Sequence, residues 1–122
     1  MKVIIMVGPS RCGKSRLAKA MYDEYVKKGR VSLAYFGASP KFNTKKLMAS
    51  IEGKTYVWID DMSKNAIENI VDVIKDPIFR NTVDILVLIP PYIPASLCGI
   101  PGIEIWDEKR IYVELYNRGI YI

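Results

Sequence analysis

Gly8-Pro9-Ser10-Arg11-Cys12-Gly13-Lys14-Ser15 is the stretch that decides how this chain folds. It matches the pattern G-x-x-x-x-G-K-[ST], and its neighbours suit it. Lys2–Val7 before it is an almost unbroken apolar run and reads as a buried strand. Arg16–Lys28 after it carries Leu17, Ala20, Met21 and Tyr25 at helical spacing, and Gly29 is a natural stop. A strand that turns through glycines into a helix points backbone N–H groups and the positive end of the helix at one place. That place suits the phosphates of a nucleoside triphosphate. Gly8, Pro9, Ser10, Arg11, Cys12, Gly13, Lys14, Ser15 and Arg16 are therefore the expected nucleotide-binding residues. Lys14 is expected on the β- and γ-phosphates, as a catalytic cation, and the Ser15 hydroxyl on Mg²⁺. ATP and Mg²⁺ are the expected cofactors.

Strand and helix alternate along the rest of the chain. Val31–Phe36 reads as a strand, Thr44 to about Ile51 as a short helix, and Lys54–Ile59 as a third strand. Ser63 is placed to cap a helix to about Lys75, with Ala66, Ile67, Ile70, Val71 and Ile74 on one face. Asp76-Pro77 breaks it. Val83–Ile89 is the most continuous apolar run, as expected of a central parallel strand covered on both faces. Pro90-Pro91-Tyr92-Ile93-Pro94 cannot be regular structure. Ile103–Trp106 and Ile111–Tyr116 read as two strands joined by a turn at Asp107–Arg110. The expected fold is α/β: a P-loop NTPase-like sandwich with a mostly parallel central sheet and a C-terminal antiparallel or edge strand pair. Residues 1–122 are expected to form a single domain.

The second chemical signal is Tyr56-Val57-Trp58-Ile59-Asp60-Asp61, an apolar strand that ends in two carboxylates. Such a strand belongs in the same sheet as the phosphate-loop strand. Asp60 is then the metal-side acid opposite Ser15, and Asp61 the catalytic residue that orients or deprotonates a water. Alone, the pair equally describes acids at the start of a helix. About 45 residues after a phosphate loop it reads as the Walker B partner of a Walker A motif.

Composition narrows the chemistry further. The chain has 122 residues, no histidine and two cysteines, Cys12 and Cys98. Histidine-dependent zinc sites, Ser-His-Asp and Cys-His catalysis are excluded. What remains is carboxylate, lysine, arginine, hydroxyl and a hard metal. Cys12, beside Arg11 and Lys14, reads either as a reactive thiol or as a small residue that fits the loop. A formal net charge of +5 favours a polyanionic partner, or is simply a surface rich in lysine. No run approaches a membrane span, and Met1–Val7 is too short for a signal peptide. An intracellular location is expected.

The loop Gly8–Ser15 resembles the Gly-Pro-Ser-Arg-x-Gly-Lys-[Ser/Thr] loop in the helicase domain of viral Rep-type replication initiator proteins, which are superfamily-three helicases. Ile59-Asp60-Asp61 is similar to their Ile-Asp-Asp motif, at similar spacing. The resemblance implies a Mg²⁺-dependent ATPase, a hydrolase that forms a ring of identical copies and moves on single-stranded DNA during replication. It implies a host-cell nuclear or cytoplasmic location. By the same resemblance Gly8, Gly13, Lys14 and Ser15 bind nucleotide, and Asp60 and Asp61 serve metal and water. At the end of the next central strand the family carries a polar sensor, where this chain has Pro90-Pro91. Pro77–Thr82 is too short for the family's DNA-gripping hairpin.

Three further groups are candidates. Arg110 and Arg118 are late enough in the chain to reach across a ring interface as arginine fingers, or are ordinary surface arginines. Arg11 and Arg16 suit either a nucleotide or a nucleic-acid phosphate. Lys41, Lys45 and Lys46 lie near Tyr35, Phe36 and Phe42, a composition that suits stacked bases and also suits core aromatics beside a solvated face. Two other functions fit the motifs: a small-molecule kinase of the nucleotide type, and a non-catalytic module gated by nucleotide.

Overall fold

Parallel pairing organises the whole molecule. The computed structural model describes residues 1–9, 11–28, 34–37, 44–50 and 55–120. Strands β1 (Lys2–Met6), β2 (Ala34–Gly37), β3 (Tyr56–Asp60), β4 (Ile85–Leu88) and β5 (Ile103–Trp106) form one sheet in the order β2-β3-β4-β1-β5. Every neighbouring pair is parallel, with Val3 opposite Leu86 and Ile103, and Val57 opposite Ala34 and Leu86. The C-terminal ends of β1, β3, β4 and β5 therefore share one edge, where loops carry ligand chemistry in open α/β sheets. This is a P-loop NTPase-like fold.

Alternation along the strands fills two cores. Val3, Ile5, Val57, Ile59, Leu86 and Leu88 face one side, with Ile67, Ile70 and Ile74 of α3 (Lys64–Lys75) and Phe79 of α4 (Pro77–Thr82). Ile4, Met6, Tyr56 and Val87 face the other, with Leu17 and Met21 of α1 (Lys14–Lys27) and Ile111 and Leu115 of α5 (Glu108–Asn117). Helix α2 (Thr44–Ser50) packs against α3. Strands buried on both faces read as continuous apolar runs, which is why Ile85–Leu88 was so legible. The Tyr56 hydroxyl donates to the Ala18 carbonyl at 2.8 Å and pins β3 to α1. Burial pushes the Tyr56 phenol well above its usual range.

Caps set the helix starts. The Ser63 hydroxyl accepts from the Ala66 N–H at 3.1 Å, as its position in the sequence predicts. The Asp76 carboxylate accepts from the N–H groups of Ile78 and Phe79 at 2.8 and 3.3 Å. Asp76-Pro77 therefore ends one helix and starts another, with proline in the first turn, where its missing N–H costs nothing.

The C-terminal segment departs from expectation. Ile103–Trp106 is the edge strand, parallel to β1, but Ile111–Tyr116 is helix. The apparent turn at Asp107–Arg110 is a cap and first helical turn: the Asp107 carboxylate accepts from the Arg110 N–H at 2.9 Å. Ile111, Val113 and Leu115 alternate like a strand, yet only Ile111 and Leu115, four apart, are buried, while Val113 is exposed. An antiparallel return would have left α1 without the apolar cover that Ile111 and Leu115 supply.

Helix α5 is fastened by charge. Arg118 Nε donates to Glu24 Oε1 of α1 at 2.7 Å, and Arg118 Nη1 to Glu114 Oε2 at 2.7 Å. Arg110 Nε donates to the other Glu114 oxygen at 3.0 Å. Burial would raise the Glu114 carboxyl, but the hydrogen bonds from Arg118 and Arg110 outweigh it and hold it below the usual range. A carboxyl lowered on folding adds stability above the unfolded value, about 4.3, and that stability is lost as pH falls through the folded value. Glu114→Gln is expected to lower stability at pH 7 by about 1 kcal/mol. Urea titrations across pH should show the gap to wild type closing as pH falls below the ordinary glutamate range.

Candidate functional site

The loop after β1 is shaped by three residues with positive φ. Gly8 has φ +156°, Arg11 +65° and Gly13 +96°. Gly13 caps α1 with no side-chain hydrogen bond, and the first turn of that helix carries no acid. The helix therefore opens without a side-chain cap, and no acid in its first turn offsets its positive end. Gly8 is needed for space as well as φ. A Cβ there would lie 2.9 Å from Cys12 Sγ and 3.7 Å from Glu108 Cβ.

The chain brings the two motifs together. Ser15 Oγ donates to Asp60 Oδ2. Asp60 is only 4 % exposed, held at the end of β3, and its other oxygen accepts from the Asp61 N–H at 2.8 Å. Asp61 has φ +50°, which turns the chain sharply as it leaves the strand. Lys14 Nζ donates to the carbonyls of Gly8 and Pro9 at 2.6 and 3.4 Å, folding its ammonium over the loop. Arg11, Lys14, Ser15, Asp60 and Asp61 line one cavity of about 470 Å³. That volume falls in the ~300–1,000 Å³ range of small-molecule sites.

The remaining wall comes from Met62, Ile89, Pro90 and Pro91. Ile89 N–H donates to the Ile59 carbonyl at 3.0 Å, so the end of β4 is drawn against the end of β3. The chain leaves β4 through Pro90 and Pro91, which have no N–H to offer to the cavity.

The donor set suits a hard cation. A serine hydroxyl and a carboxylate converge, with a second carboxylate beside them, and Mg²⁺ is commonly held by one or two carboxylates together with substrate phosphates and water. No group of three or more His, Cys, Asp or Glu able to hold a metal by itself occurs among the described residues.

Other candidate residues, and some of their neighbours, fall elsewhere. Cys12 is 2 % exposed and packs in the core with Met6 and Leu17. It is the small residue that fits beneath the loop, and its thiol is shielded from solvent. Arg16 is exposed and lines a neighbouring groove with Lys19, Asp23 and Trp58. Trp58 packs against the core beside α1. Arg80 Nη1 donates to the Ile74 carbonyl at 3.3 Å, closing the end of α3. Arg110 and Arg118 are held by Glu114, and the Arg110 guanidinium also lies 4.5 Å from the centre of the Trp106 ring. Ser10, Lys41 and Phe42 lie outside the described residues, as do the side chains of Tyr35, Phe36 and Lys46. Lys45 is exposed on α2.

Met62 and Glu108 had no signal in the sequence. Met62 enters the cavity because the turn at Asp61 carries the chain back across its floor. Glu108 meets Gly8 because β5 lies beside β1.

Fold and site together define a phosphate-loop, nucleotide-binding domain of the helicase type. A family model described as RNA helicase matches residues 4–85, well over half of the chain, and the chain belongs to that family. The matched span runs from β1 through the phosphate loop and the acidic strand to the first residue of β4. No curated protein matches the chain. No helix among the described residues is long and apolar enough to cross a membrane.

Gly8→Ala is expected to displace the loop, because the new methyl meets Cys12 and the φ is unsuited to alanine. Nucleotide affinity should fall at least ~10-fold, the ~1.4 kcal/mol that a strained φ and a close contact readily exceed. Fluorescence titration with a labelled ATP analogue would measure it.

Proposed function

We propose that this chain is a Mg²⁺-dependent ATPase that acts on nucleic acid. The observation that carries the reading is the contact of Ser15 with Asp60 beside Lys14 and Asp61, in the mouth of a phosphate-binding loop. Gly8, Pro9, Ser10, Arg11, Cys12 and Gly13 present the loop backbone to the phosphates, and Lys14 leaves the loop carbonyls to pair with the β- and γ-phosphates. Ser15 and Asp60 hold Mg²⁺, which neutralises charge that develops between those phosphates. Asp61, exposed at the cavity, accepts a hydrogen bond from the attacking water and takes its proton. Arg16, just outside, meets the nucleotide or a nucleic-acid phosphate. The net charge of +5 supports a nucleic-acid partner.

Single-stranded DNA as the track, self-assembly into a ring and a role in replication rest on the likeness of Gly8–Ser15 and Ile59–Asp61 to viral replication initiators. Residues 1–122 act in this reading as one phosphate-loop domain.

A second reading has one observation in its favour. Pro90 and Pro91 occupy the wall where a sensor would contact the γ-phosphate. A module that binds ATP and changes a partner interface, without turnover, needs no sensor.

ATP hydrolysis with and without single-stranded DNA and RNA decides between them. The proposal expects turnover stimulated by one of these, strongest at low salt. Lys14→Ala should abolish it, and Asp61→Asn should lower kcat by about 10²–10⁴-fold with ATP still bound. Tight ATP binding with no turnover under any condition favours the gated module, and phosphoryl transfer to a nucleoside monophosphate would reveal a kinase.

A further inference from the structure

The cavity is asymmetric in charge. Asp60 and Asp61 stand at the end of β3, and Pro90 and Pro91 close the end of β4 without a hydrogen-bond donor. The cations facing them are Lys14 and Arg11. Among the described residues, three other arginines are committed: Arg80 to the Ile74 carbonyl, Arg110 and Arg118 to Glu114, and Arg118 also to Glu24. Arg16 lines the neighbouring groove. Among the described residues, Arg11 is the arginine that lines the phosphate cavity.

Its backbone adds a second observation. Arg11 sits at φ +65°, a conformation that disfavours a residue with a Cβ and that glycine adopts freely. Loop shape alone would be met better by glycine. An arginine held there at a local energetic cost, exposed and lining the cavity, points to a use for its guanidinium.

We infer that Arg11 is a catalytic residue of the ATPase reaction, an arginine supplied by the phosphate loop itself. The inference rests on the reading of the site as an ATPase. In the step it serves, a water oxygen forms a bond to the γ-phosphorus as the bond from that phosphorus to the β–γ bridging oxygen breaks. The electron pair leaves with ADP, and the water's proton passes to Asp61. Negative charge shifts toward the bridging oxygen while the γ-phosphoryl group flattens. A planar guanidinium can bond two of those oxygens at once, whereas the ammonium of Lys14 acts as a point charge. Charge aimed at the transition state raises kcat rather than ground-state affinity.

The test uses the whole chain with Arg11→Gly and Arg11→Lys. Glycine accepts φ +65°, so the loop keeps its path while losing the guanidinium, and circular dichroism melting checks the fold. Three quantities are read: kcat for ATP, Kd for ADP, and Kd for ADP with fluoroaluminate, which mimics the flattened phosphoryl group. Arg11→Gly is expected to lower kcat about 100-fold or more and to lose the extra affinity that fluoroaluminate confers. The Kd for ADP should stay within about threefold of wild type. Arg11→Lys should recover part of kcat, through charge without the planar fork. A kcat for Arg11→Gly within about threefold of wild type overturns the inference. So does a fall in kcat/KM matched by an equal loss of ADP affinity, which assigns Arg11 to ground-state binding. A wild-type chain that binds ADP but never hydrolyses ATP overturns the ATPase reading, and this inference with it.

Discussion

The parallel pairing of β1 and β3 with β4 is the constraint on which the rest depends. It fixes the ends of three strands side by side, so residues 45 apart in the chain meet as a hydrogen bond between Ser15 and Asp60. The contact is worth little as a source of stability, since both partners also satisfy water well when unfolded. Its importance is positional. The hydroxyl and the carboxylate suited to one hard cation are held together before any cation arrives, by strands that are buried on both faces and cannot slip without turning every side chain to the wrong core.

Around that point the fold divides its labour. The face with α3 and α4 is aliphatic and sealed by ordinary caps at Ser63 and Asp76. The face with α1 and α5 carries the phosphate loop, and its packing is more specific. Cys12 fills the space under the loop, the Tyr56 hydroxyl ties β3 to α1, and Arg118, held by Glu114 together with Arg110, ties the end of α5 to Glu24 of α1. Two of the chain's arginines are thus used to hold the scaffold of the site. That leaves the cavity with a lysine and an arginine from a single loop, and with a proline wall where a donor would be usual.

The strand–loop–helix at Gly8–Ser15 was legible because its constraints are local. Gly8, Gly13, Lys14 and Ser15 are set by the backbone needs of one tight loop, and such needs leave a fixed spacing. Asp60 was legible because an apolar strand of four residues delivers it. Cys12 was ambiguous, since a thiol beside Arg11 and Lys14 can be exposed or buried, and only the packing of Met6 and Leu17 against it shows which. Ile111–Tyr116 was misread because its alternating Ile, Val and Leu favour a strand locally, while burial at Ile111 and Leu115 against α1 favours a helix. Tertiary packing outweighs a local preference of that size. Pro77–Thr82 carries no helix signal of its own in the sequence, because the proline that ends one helix also starts the next.

By itself the sequence determined the α/β class, the strand–loop–helix at Gly8–Ser15, the acidic strand and the cap at Ser63, since each depends on neighbours within a few residues. Only the tertiary structure decided what meets what. It placed β5 beside β1, which brings Glu108 against Gly8, set Pro90 and Pro91 into the cavity wall, and sent Arg110 and Arg118 to Glu114 and not to the cavity. These are contacts between segments far apart in the chain, and strand order and core packing choose them. No local spacing encodes that choice.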